Sequence, residues 1–462
     1  MQLSKNKNYQ YLFFFILSIY TIFNGGNSNL LIQINFIFIG FFFTYCLKDK
    51  NFYLHFLKFY KSNQISIIIY ILFLLYLLFQ IIPLPIEFLK FFSPEKYKII
   101  NKLNLDTSYQ SISLAFSNSF FQILNFTTLL VIVFILKMIF YTNTHKIRLL
   151  FFLVLTGAFA ASIAVYFYLV GNPDFFIIKN ESSKTAATGF FVNRTVYSCF
   201  LVLCFLSGME YLKKIDHYEK NNKNNFFNKI YIRIFILLIT IGIITSFSRL
   251  GNFLFISVIT LYILKEFFNK NKKNRFFLIT LLLIVIFDIL ILGFYFGSDK
   301  LIQRYSFLQS EINNYSLSLS EANTFDTSRG TMAKFAFSEF KKFIFFGYGL
   351  GGFENLFKIN FVNSTTKYSS LYASHAHSDL FEFIGELGLI GSALIILSVK
   401  SFYANKKNFL FKNFILLYLL IFIFIFDFSF HIPIVQLLFV ILFSINFEKI
   451  KKFKWLFKYY FI

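Results

Sequence analysis

Apolar runs long enough to cross a bilayer recur along nearly the whole chain, separated by polar stretches. A membrane-spanning helix needs roughly 17 to 25 apolar residues. The chain has about twelve such runs, near Tyr9–Phe23, Leu30–Leu47, Ile65–Ile82, Phe120–Phe140, Leu149–Leu169, Phe191–Leu212, Tyr231–Phe247, Leu250–Phe267, Phe276–Phe296, Phe383–Val399, Phe411–Phe426 and Ile434–Phe447. The pattern predicts an all-α polytopic integral membrane protein with about 12 transmembrane helices. No linker divides the chain, so we expect a single membrane domain over residues 1–462.

Two segments between the runs are too long to be simple turns. Residues 83–119 separate the third and fourth runs, and the larger segment 297–382 separates the ninth and tenth. Long loops carry function more often than short ones do. Within the larger segment, Thr331–Lys342 alternates apolar and polar residues at helical spacing, which predicts an amphipathic helix along the membrane surface. A His-led motif over residues 377–391 then enters the tenth helix.

The composition suits a membrane protein, since 57% of the residues are hydrophobic and 22% are aromatic. Lysine and arginine keep short loops on the cytoplasmic side of a membrane. If the N-terminus is cytoplasmic, 28 of the 45 lysines and arginines fall in cytoplasmic tails and short loops. We therefore expect both termini in the cytoplasm and the two long segments outside. The net charge of +23 follows from this bias, so we expect contacts with anionic membrane lipid and no nucleic-acid partner.

Four arginines fall on the expected external side, near the ends of runs or in the larger segment. They are Arg194, Arg249, Arg304 and Arg329. A guanidinium holds phosphate oxygens through two parallel hydrogen bonds and stays charged when partly desolvated. The set therefore predicts an anion-binding pocket. A structural role, such as an arginine that snorkels to lipid headgroups, stays open as the alternative at each position.

His377 begins the motif that enters the tenth helix. Its unperturbed pKa of about 6.5 suits a general base that takes a proton from a hydroxyl. A histidine that caps the helix or pairs with a carboxylate is the alternative. Asp379, Glu382 and Glu386 follow at spacings that share one helix face. We expect one of them to orient the imidazole or hold an acceptor sugar, and Glu386 to serve in structural pairing.

His375 and His431 are expected beside the same pocket. The spacing of His375 and His377 is that of half a metal site, yet the other ligands that zinc needs are not visible nearby in the sequence. The three cysteines lie within predicted helices and add no metal motif. We therefore expect neither a metal nor another cofactor.

Two glycine patterns frame this region. The turn Gly347–Gly352 contains four glycines but lacks the Lys-Ser/Thr of a nucleotide-binding loop. We expect a flexible turn that re-enters toward the pocket. Gly385, Gly388 and Gly391 recur every three residues, which predicts close packing of the tenth helix against a neighbour.

The order and spacing of these motifs resemble the bacterial O-antigen ligase and polymerase superfamily of polytopic inner-membrane glycosyltransferases. The resemblance covers nearly the whole chain and is strongest from Arg329 to Gly391. The family pattern is an arginine, a Gly-x-Gly turn, and then His-x-Asp-x-Leu leading to Glu-x-Gly-x-x-Gly. In this chain it corresponds to Arg329, Gly347, Gly349, His377, Asp379, Leu380, Glu386, Gly388 and Gly391.

Shorter segments add to the resemblance, and two positions depart from it. The added segments are the turn Ser248-Arg249, the loop Gln80–Pro85 with Ser93-Pro94, and Gly189–Arg194. Phe346 stands where a proline commonly precedes the Gly-x-Gly turn, and Thr195 stands where an asparagine often follows Asn-Arg. Neither departure removes a charged group, so both concern the subfamily more than the chemistry.

The resemblance implies an enzyme of the bacterial inner membrane with a periplasmic active site. Its donor would be a glycan on undecaprenyl diphosphate, and its acceptor a sugar hydroxyl, which for a ligase belongs to lipid A-core. Arg249 and Arg329 would clamp the diphosphate and His377 would deprotonate the acceptor, in a metal-independent transfer with inversion. Substrate contacts are expected from Arg194, Arg304, His375, Asp379, Glu382 and His431.

Three other functions stay open. An O-antigen polymerase would use the same donor and add the growing chain to another lipid-linked repeat unit. A further member of the superfamily would transfer the glycan to a protein hydroxyl. A lipid-glycan flippase or other transporter comes from a different class. Transporters show repeat symmetry and midplane charges, whereas in this chain the halves differ and the charges gather toward one face.

Overall fold

A computed structural model describes residues 2–105, 107–174, 184–218, 225–267, 329–362, 373–404 and 413–445, together with Leu283 and Ile286. The α-helices in this part of the chain are α1 (Gln2–Ile22), α2 (Asn29–Leu47), α3 (Lys50–Ser62), α4 (Gln64–Ile81), α5 (Ile86–Phe92), α6 (Pro94–Lys102), α7 (Phe116–Ile139), α8 (Asn143–Leu169), α9 (Arg194–Tyr218), α10 (Asn225–Thr245), α11 (Arg249–Phe267), α12 (Arg329–Phe340), α13 (Phe353–Leu356), α14 (Asp379–Ala404), α15 (Phe414–Phe426) and α16 (Pro433–Ile445). The strands are β1 (Leu84–Pro85) and β2 (Tyr109–Gln110).

Eight of these helices are long and apolar enough to span a membrane, namely α2, α4, α7, α8, α9, α10, α11 and α14. The first predicted run, Tyr9–Phe23, overlaps α1, which ends at Ile22, and α15 and α16 are shorter apolar helices of 13 residues each. The ninth run, Phe276–Phe296, lies outside the described residues except for Leu283 and Ile286. The predicted all-α polytopic membrane protein is confirmed. The number of about twelve spans stays a prediction.

The short cytoplasmic loop expected between the second and third apolar runs contains the helix α3. The Asp49 carboxylate caps the start of α3 by accepting a hydrogen bond from the backbone N–H of Asn51 at 2.9 Å. Phe52 is buried, whereas Lys58 and Lys61 are exposed. An apolar face opposite lysines is typical of a helix that lies along a membrane surface.

The predicted loop over residues 83–119 is folded into short elements. Strands β1 and β2 pair antiparallel, and α5 and α6 lie between them in sequence. The buried Lys96 of α6 donates to the carbonyl oxygens of Ser111 at 2.5 Å and Ser113 at 2.6 Å. Burial lowers the pKa of Lys96 to about 8. These bonds hold α6 against the segment that leads into α7.

The α9 helix lies at the centre of the spanning helices. In the most apolar stretch of α9, 94% of the residues are buried. The helix packs against α8, α10, α11 and α16. Small residues allow this close approach. A Cβ on Gly157 of α8 would lie 2.5 Å from Cβ of Cys204, and a Cβ on Gly251 of α11 would lie 2.1 Å from Oγ of Ser198. The first turn of α11 is therefore in contact with the second turn of α9.

The helix α14 is kinked at Gly388, whose backbone adopts a φ of 63° and a ψ of −175°. The glycine-rich turn binds just before this kink. The N–H groups of Tyr348 and Gly349 donate to the carbonyls of Gly385 at 3.1 Å and Glu386 at 3.0 Å. The turn is thus held by the backbone of α14 through regular hydrogen bonds.

The helix α4 completes this junction from the other side. The Tyr76 hydroxyl donates to the Leu387 carbonyl at 2.6 Å, and the Gln80 amide donates to the Glu386 carbonyl at 2.9 Å. A Cβ on Gly391 would lie 2.5 Å from the Tyr76 ring. The predicted close packing of the glycine repeat is confirmed, and it positions the first two turns of α14.

Candidate active site

Three buried carboxylates line one face of the start of α14. Asp379, Glu382 and Glu386 are spaced by three and four residues and are each exposed by 1% or less. His431 belongs to the 3₁₀ turn between α15 and α16 and faces all three. Its Nδ1 contacts Asp379 Oδ1, and its Nε2 lies 3.5 Å from both Glu382 Oε1 and Glu386 Oε2. We call these four residues and His375 the acid–histidine cluster.

The surroundings of His431 favour the charged form of its imidazole. Burial alone lowers the pKa of the imidazole, but the Glu382 and Asp379 carboxylates outweigh burial and raise the pKa well above its usual value. The Phe383 ring stacks on the imidazole with 4.0 Å between centroids. The backbone N–H of Phe430 donates to the second Asp379 oxygen at 2.7 Å. These contacts fix the α15–α16 connection against α14.

The turn ahead of α14 carries two histidines on opposite sides of an alanine. Nδ1 of His375 lies 2.9 Å from Oε1 of Glu382, and the His375 ring stacks on Phe428 with 4.7 Å between centroids. The other Glu382 oxygen accepts from the backbone N–H of Ala376 at 2.7 Å. His377 has a φ of 55°, in the left-handed region, and its ring meets the same Phe428 ring at 5.1 Å.

Arg329, the first residue of α12, joins two other elements. One guanidinium nitrogen lies 3.6 Å from Oδ1 of Asp427, and another donates to Oγ1 of Thr195 in α9 at 3.3 Å. About a third of the Arg329 side chain, 32%, stays exposed. The guanidinium can therefore meet an anionic ligand while it pairs with Asp427.

Asp427 connects this arginine to the acid–histidine cluster. It directly follows α15, is fully buried, and its carbonyl accepts from the N–H of Asp379 at 3.0 Å. The Ser429 hydroxyl donates to its Oδ2. Burial raises the pKa of Asp427, and the positive charge of Arg329 opposes this shift. The start of α14, the start of α12 and the end of α15 thus meet at one place.

Two further predicted arginines begin helices at this end of the bundle. Arg194 is the first residue of α9, next to Thr195, and Arg249 is the first residue of α11, whose first turn packs against α9. Both side chains are partly buried. The fourth, Arg304, lies outside the described residues. Three of the four predicted arginines therefore begin helices, and of these Arg329 contacts Asp427 and Thr195.

The predicted substrate-binding residues of the cluster contact each other. Asp379, Glu382 and His431 are exposed by 4% or less, and the His375 side chain by 24%. Both carboxylate oxygens of Glu386 are buried without a hydrogen-bond partner among the described residues. A buried carboxylate without such a partner is costly. Contacts of these residues with a substrate stay a prediction.

Three donors of the cluster are close enough to hold one metal ion. The ligand atoms of His375, Glu382 and His431 all lie within 4.8 Å of one another. Asp379 on the second nitrogen of His431 is also the support that metal-bound histidines usually have. In the structure the three groups pair directly with each other. The expectation of a metal-independent site stays a prediction.

Two residues of the site are missed by sequence reasoning. Asp427 stands directly after an apolar run, and an ionisable residue at such a position marks a functional site by default. This signal was present in the sequence. Thr195 attracts notice there only as a departure from a family pattern, and its contact with Arg329 spans 134 residues. No local pattern announces such a contact.

Residues 234–396 match a family model described as O-antigen ligase. The matched segment includes Arg249, Arg329, His377 and the three carboxylates of α14, and it ends before Asp427 and His431. Comparison with individual curated proteins finds no match. Members of the matched family are membrane glycosyltransferase-like enzymes that use a lipid-linked glycan and a glycan acceptor. The match over residues 234–396 supports the predicted resemblance to the O-antigen ligase superfamily.

Proposed function

We propose that this protein moves a glycan from undecaprenyl diphosphate to a sugar hydroxyl of lipid A-core, at the periplasmic face of the bacterial inner membrane. One observation carries the proposal. Arg329 pairs with the buried Asp427 yet keeps 32% of its side chain exposed, beside the histidine-bearing turn and within the matched segment. A cationic group next to candidate bases is the arrangement that glycan transfer from a diphosphate requires.

The arginines have the electrostatic role in this reaction. As the glycosidic bond breaks, negative charge grows on the departing diphosphate. Arg249 and Arg329 bind the diphosphate oxygens and stabilise that charge, and Arg194 and Arg304 extend the binding surface. Because the carboxylates of α14 would repel a diphosphate, we place the donor on the arginine side of the site.

His377 has the role of general base. Its imidazole takes the proton from the acceptor hydroxyl as that oxygen attacks the anomeric carbon, and the electron pair of the broken bond leaves with the diphosphate. Attack opposite the leaving group inverts the anomeric configuration. A diphosphate is already a good leaving group, so the reaction needs neither a metal nor nucleotide hydrolysis.

The membrane arrangement follows the distribution of basic residues. Lysines and arginines concentrated in short loops and tails favour cytoplasmic termini. Under this arrangement the starts of α9, α11, α12 and α14 face the periplasm, where a lipid-linked glycan and lipid A-core both present their sugars. Membrane lipid surrounds the spanning helices, and no nucleic acid takes part.

The test is mass spectrometry of undecaprenyl-linked glycans and lipid A-core from cells in which the gene is deleted. The comparison strains carry the wild-type gene or the His377→Ala variant. Polymerised glycan stranded on undecaprenyl diphosphate, together with bare lipid A-core, supports the ligase. Surface lipid capped by a single repeat unit would instead indicate an O-antigen polymerase. An unchanged glycan profile would reject both and favour a transporter or another glycan pathway.

A further inference from the structure

The Glu382 carboxylate bonds the turn that carries His377. Glu382 lies one turn into α14 and is 1% exposed. One of its oxygens lies 2.9 Å from Nδ1 of His375, and the other accepts from the N–H of Ala376 at 2.7 Å. Each oxygen therefore bonds one of the two residues directly before His377, and Oε1 also lies 3.5 Å from Nε2 of His431.

The backbone of His377 needs such support. Its φ of 55° is sterically disfavoured for a residue with a Cβ atom. Residues in this region persist only where the surrounding contacts over-determine the conformation. Glu382 supplies those contacts on the N-terminal side. On the C-terminal side, the N–H of Asp379 donates to the Asp427 carbonyl at 3.0 Å.

We propose that Glu382, together with His375, is a positioning residue for His377. Its carboxylate holds the turn in the conformation that aims the His377 imidazole at the acceptor hydroxyl. This inference rests on the proposed function, in which His377 takes the acceptor proton. Glu382 itself exchanges no proton with the substrate and acts only through the geometry of the turn.

The role predicts a particular kinetic signature. The donor diphosphate is bound by arginines on α11 and α12, which the Glu382 carboxylate does not hold. A displaced base slows the chemical step but leaves donor binding intact, and a misplacement of about 1 Å costs about 10²-fold in rate. Glu382→Gln should therefore lower kcat by about 10- to 100-fold with a nearly unchanged donor KM.

The experiment uses purified full-length protein with a lipid-linked glycan donor and a glycan acceptor. The variants are Glu382→Gln, His377→Ala and the double variant. If Glu382 acts through His377, the double variant is no slower than His377→Ala alone. Losses that multiply in the double variant would overturn the proposal, as would a raised donor KM with unchanged kcat in Glu382→Gln.

Two His375 variants keep the test valid if Glu382→Gln fails to fold. The side-chain amide of His375→Asn places a donor where Nδ1 of the histidine stands, whereas His375→Leu removes it. We expect His375→Asn to retain most of kcat and His375→Leu to fall as Glu382→Gln does. Equal activity of the two variants would contradict a positioning hydrogen bond.

Glu210→Gln serves as a matched control, and His377→Ala distinguishes failure of the proposed function from failure of the positioning role. Glu210→Gln makes the same change in a glutamate of α9 that bonds Tyr262, and it should transfer at the wild-type rate. Normal transfer by His377→Ala would remove the base from the proposed function, whatever Glu382 does. An inactive His377→Ala beside a fully active Glu382→Gln would overturn only the positioning role.

Discussion

Two groups of ionisable side chains lie at opposite ends of α9, and their charge balance differs. Near Thr195, Arg329 and the buried His431 face four buried carboxylates, Asp379, Glu382, Glu386 and Asp427. At the other end, Glu210 accepts from the Tyr262 hydroxyl at 2.9 Å. There Lys213 lies 3.3 Å from Glu266 and 4.1 Å above the Tyr262 ring.

This difference indicates a functional site near Thr195 and a structural contact near Lys213. At the Lys213 end, each glutamate has a donor or a cation, which is the pairing that buried ionisable groups need in a stable bundle. At the Thr195 end, Glu386 lies 3.5 Å from the His431 imidazole, but both of its oxygens lack a hydrogen bond among the described residues, and His377 is held in a disfavoured conformation. Such strain concentrates at active sites, where it orients reacting groups.

The largest expected effect is at His377. His377→Ala removes the proposed base and should lower the transfer rate by about 10² to 10⁴ without loss of membrane insertion. The measurement is transfer from a lipid-linked glycan by purified protein, with the amount of folded protein checked by size-exclusion chromatography. Near-normal transfer would remove His377 from the chemistry and leave the acid–histidine cluster without its proposed task.

The next effect concerns Arg329 and its partner. Arg329→Ala should lower transfer by about 10² to 10³, the loss typical when one group that stabilises developing charge is removed. Arg329→Lys keeps the charge but not the two-pronged geometry, so it should recover only part of the activity.

Asp427→Asn tests whether the pairing matters for that arginine. It leaves the guanidinium without its 3.6 Å carboxylate partner, and we expect a smaller loss than in Arg329→Ala. The informative reading is the donor KM, which should rise in both Arg329 variants. If Asp427→Asn lowered transfer as much as His377→Ala does and left the donor KM unchanged, Asp427 would support His377 and not the binding of diphosphate by Arg329.

The fold was largely predictable because a spanning helix announces itself locally. Each apolar run is one element, so hydropathy alone located the helices, as at α7 and α8. The helix α3 was missed because its lysines interrupt the apolar pattern. A helix is present over most of the predicted range Thr331–Lys342, as α12 (Arg329–Phe340), whereas its amphipathic character and its position along the membrane surface stay predictions.

The site was predictable only in part, because its decisive contacts are not local. Asp379, Glu382 and Glu386 share a face by spacing, and the sequence shows this directly. His431 reaches Asp379 across 52 residues, and Arg329 reaches Thr195 across 134. Asp427 stood in the sequence as a lone carboxylate after an apolar run, but nothing there paired it with an arginine.

A smaller effect should appear in the pH dependence of stability. The carboxylates raise the pKa of His431 well above its usual value. The charged form of His431 therefore stabilises the fold. This contribution is complete below the pKa of an unfolded histidine, about 6.5, and is lost as pH rises through the pKa of His431 in the folded protein. We expect the wild-type melting temperature in detergent to exceed that of His431→Gln by the largest margin near pH 6. A margin that grows toward alkaline pH would contradict a charged His431.

The smallest expected effect is that of chelation, which decides how the acid–histidine cluster balances its charge. If His431 balances the charge of the carboxylates, then removing divalent cations with EDTA leaves both transfer and melting temperature unchanged. Elemental analysis of the purified protein should then find no stoichiometric metal. The opposite result would be a bound metal ion, because the ligand atoms of His375, Glu382 and His431 lie within 4.8 Å of one another. Bound metal that is lost in His431→Gln, with transfer restored by one added cation, would make the cluster a metal centre. Glu386, which lies 3.5 Å from Nε2 of His431, would then be an additional ligand, and the contrast with the Lys213 end would reflect a bound cation and not strain at a base.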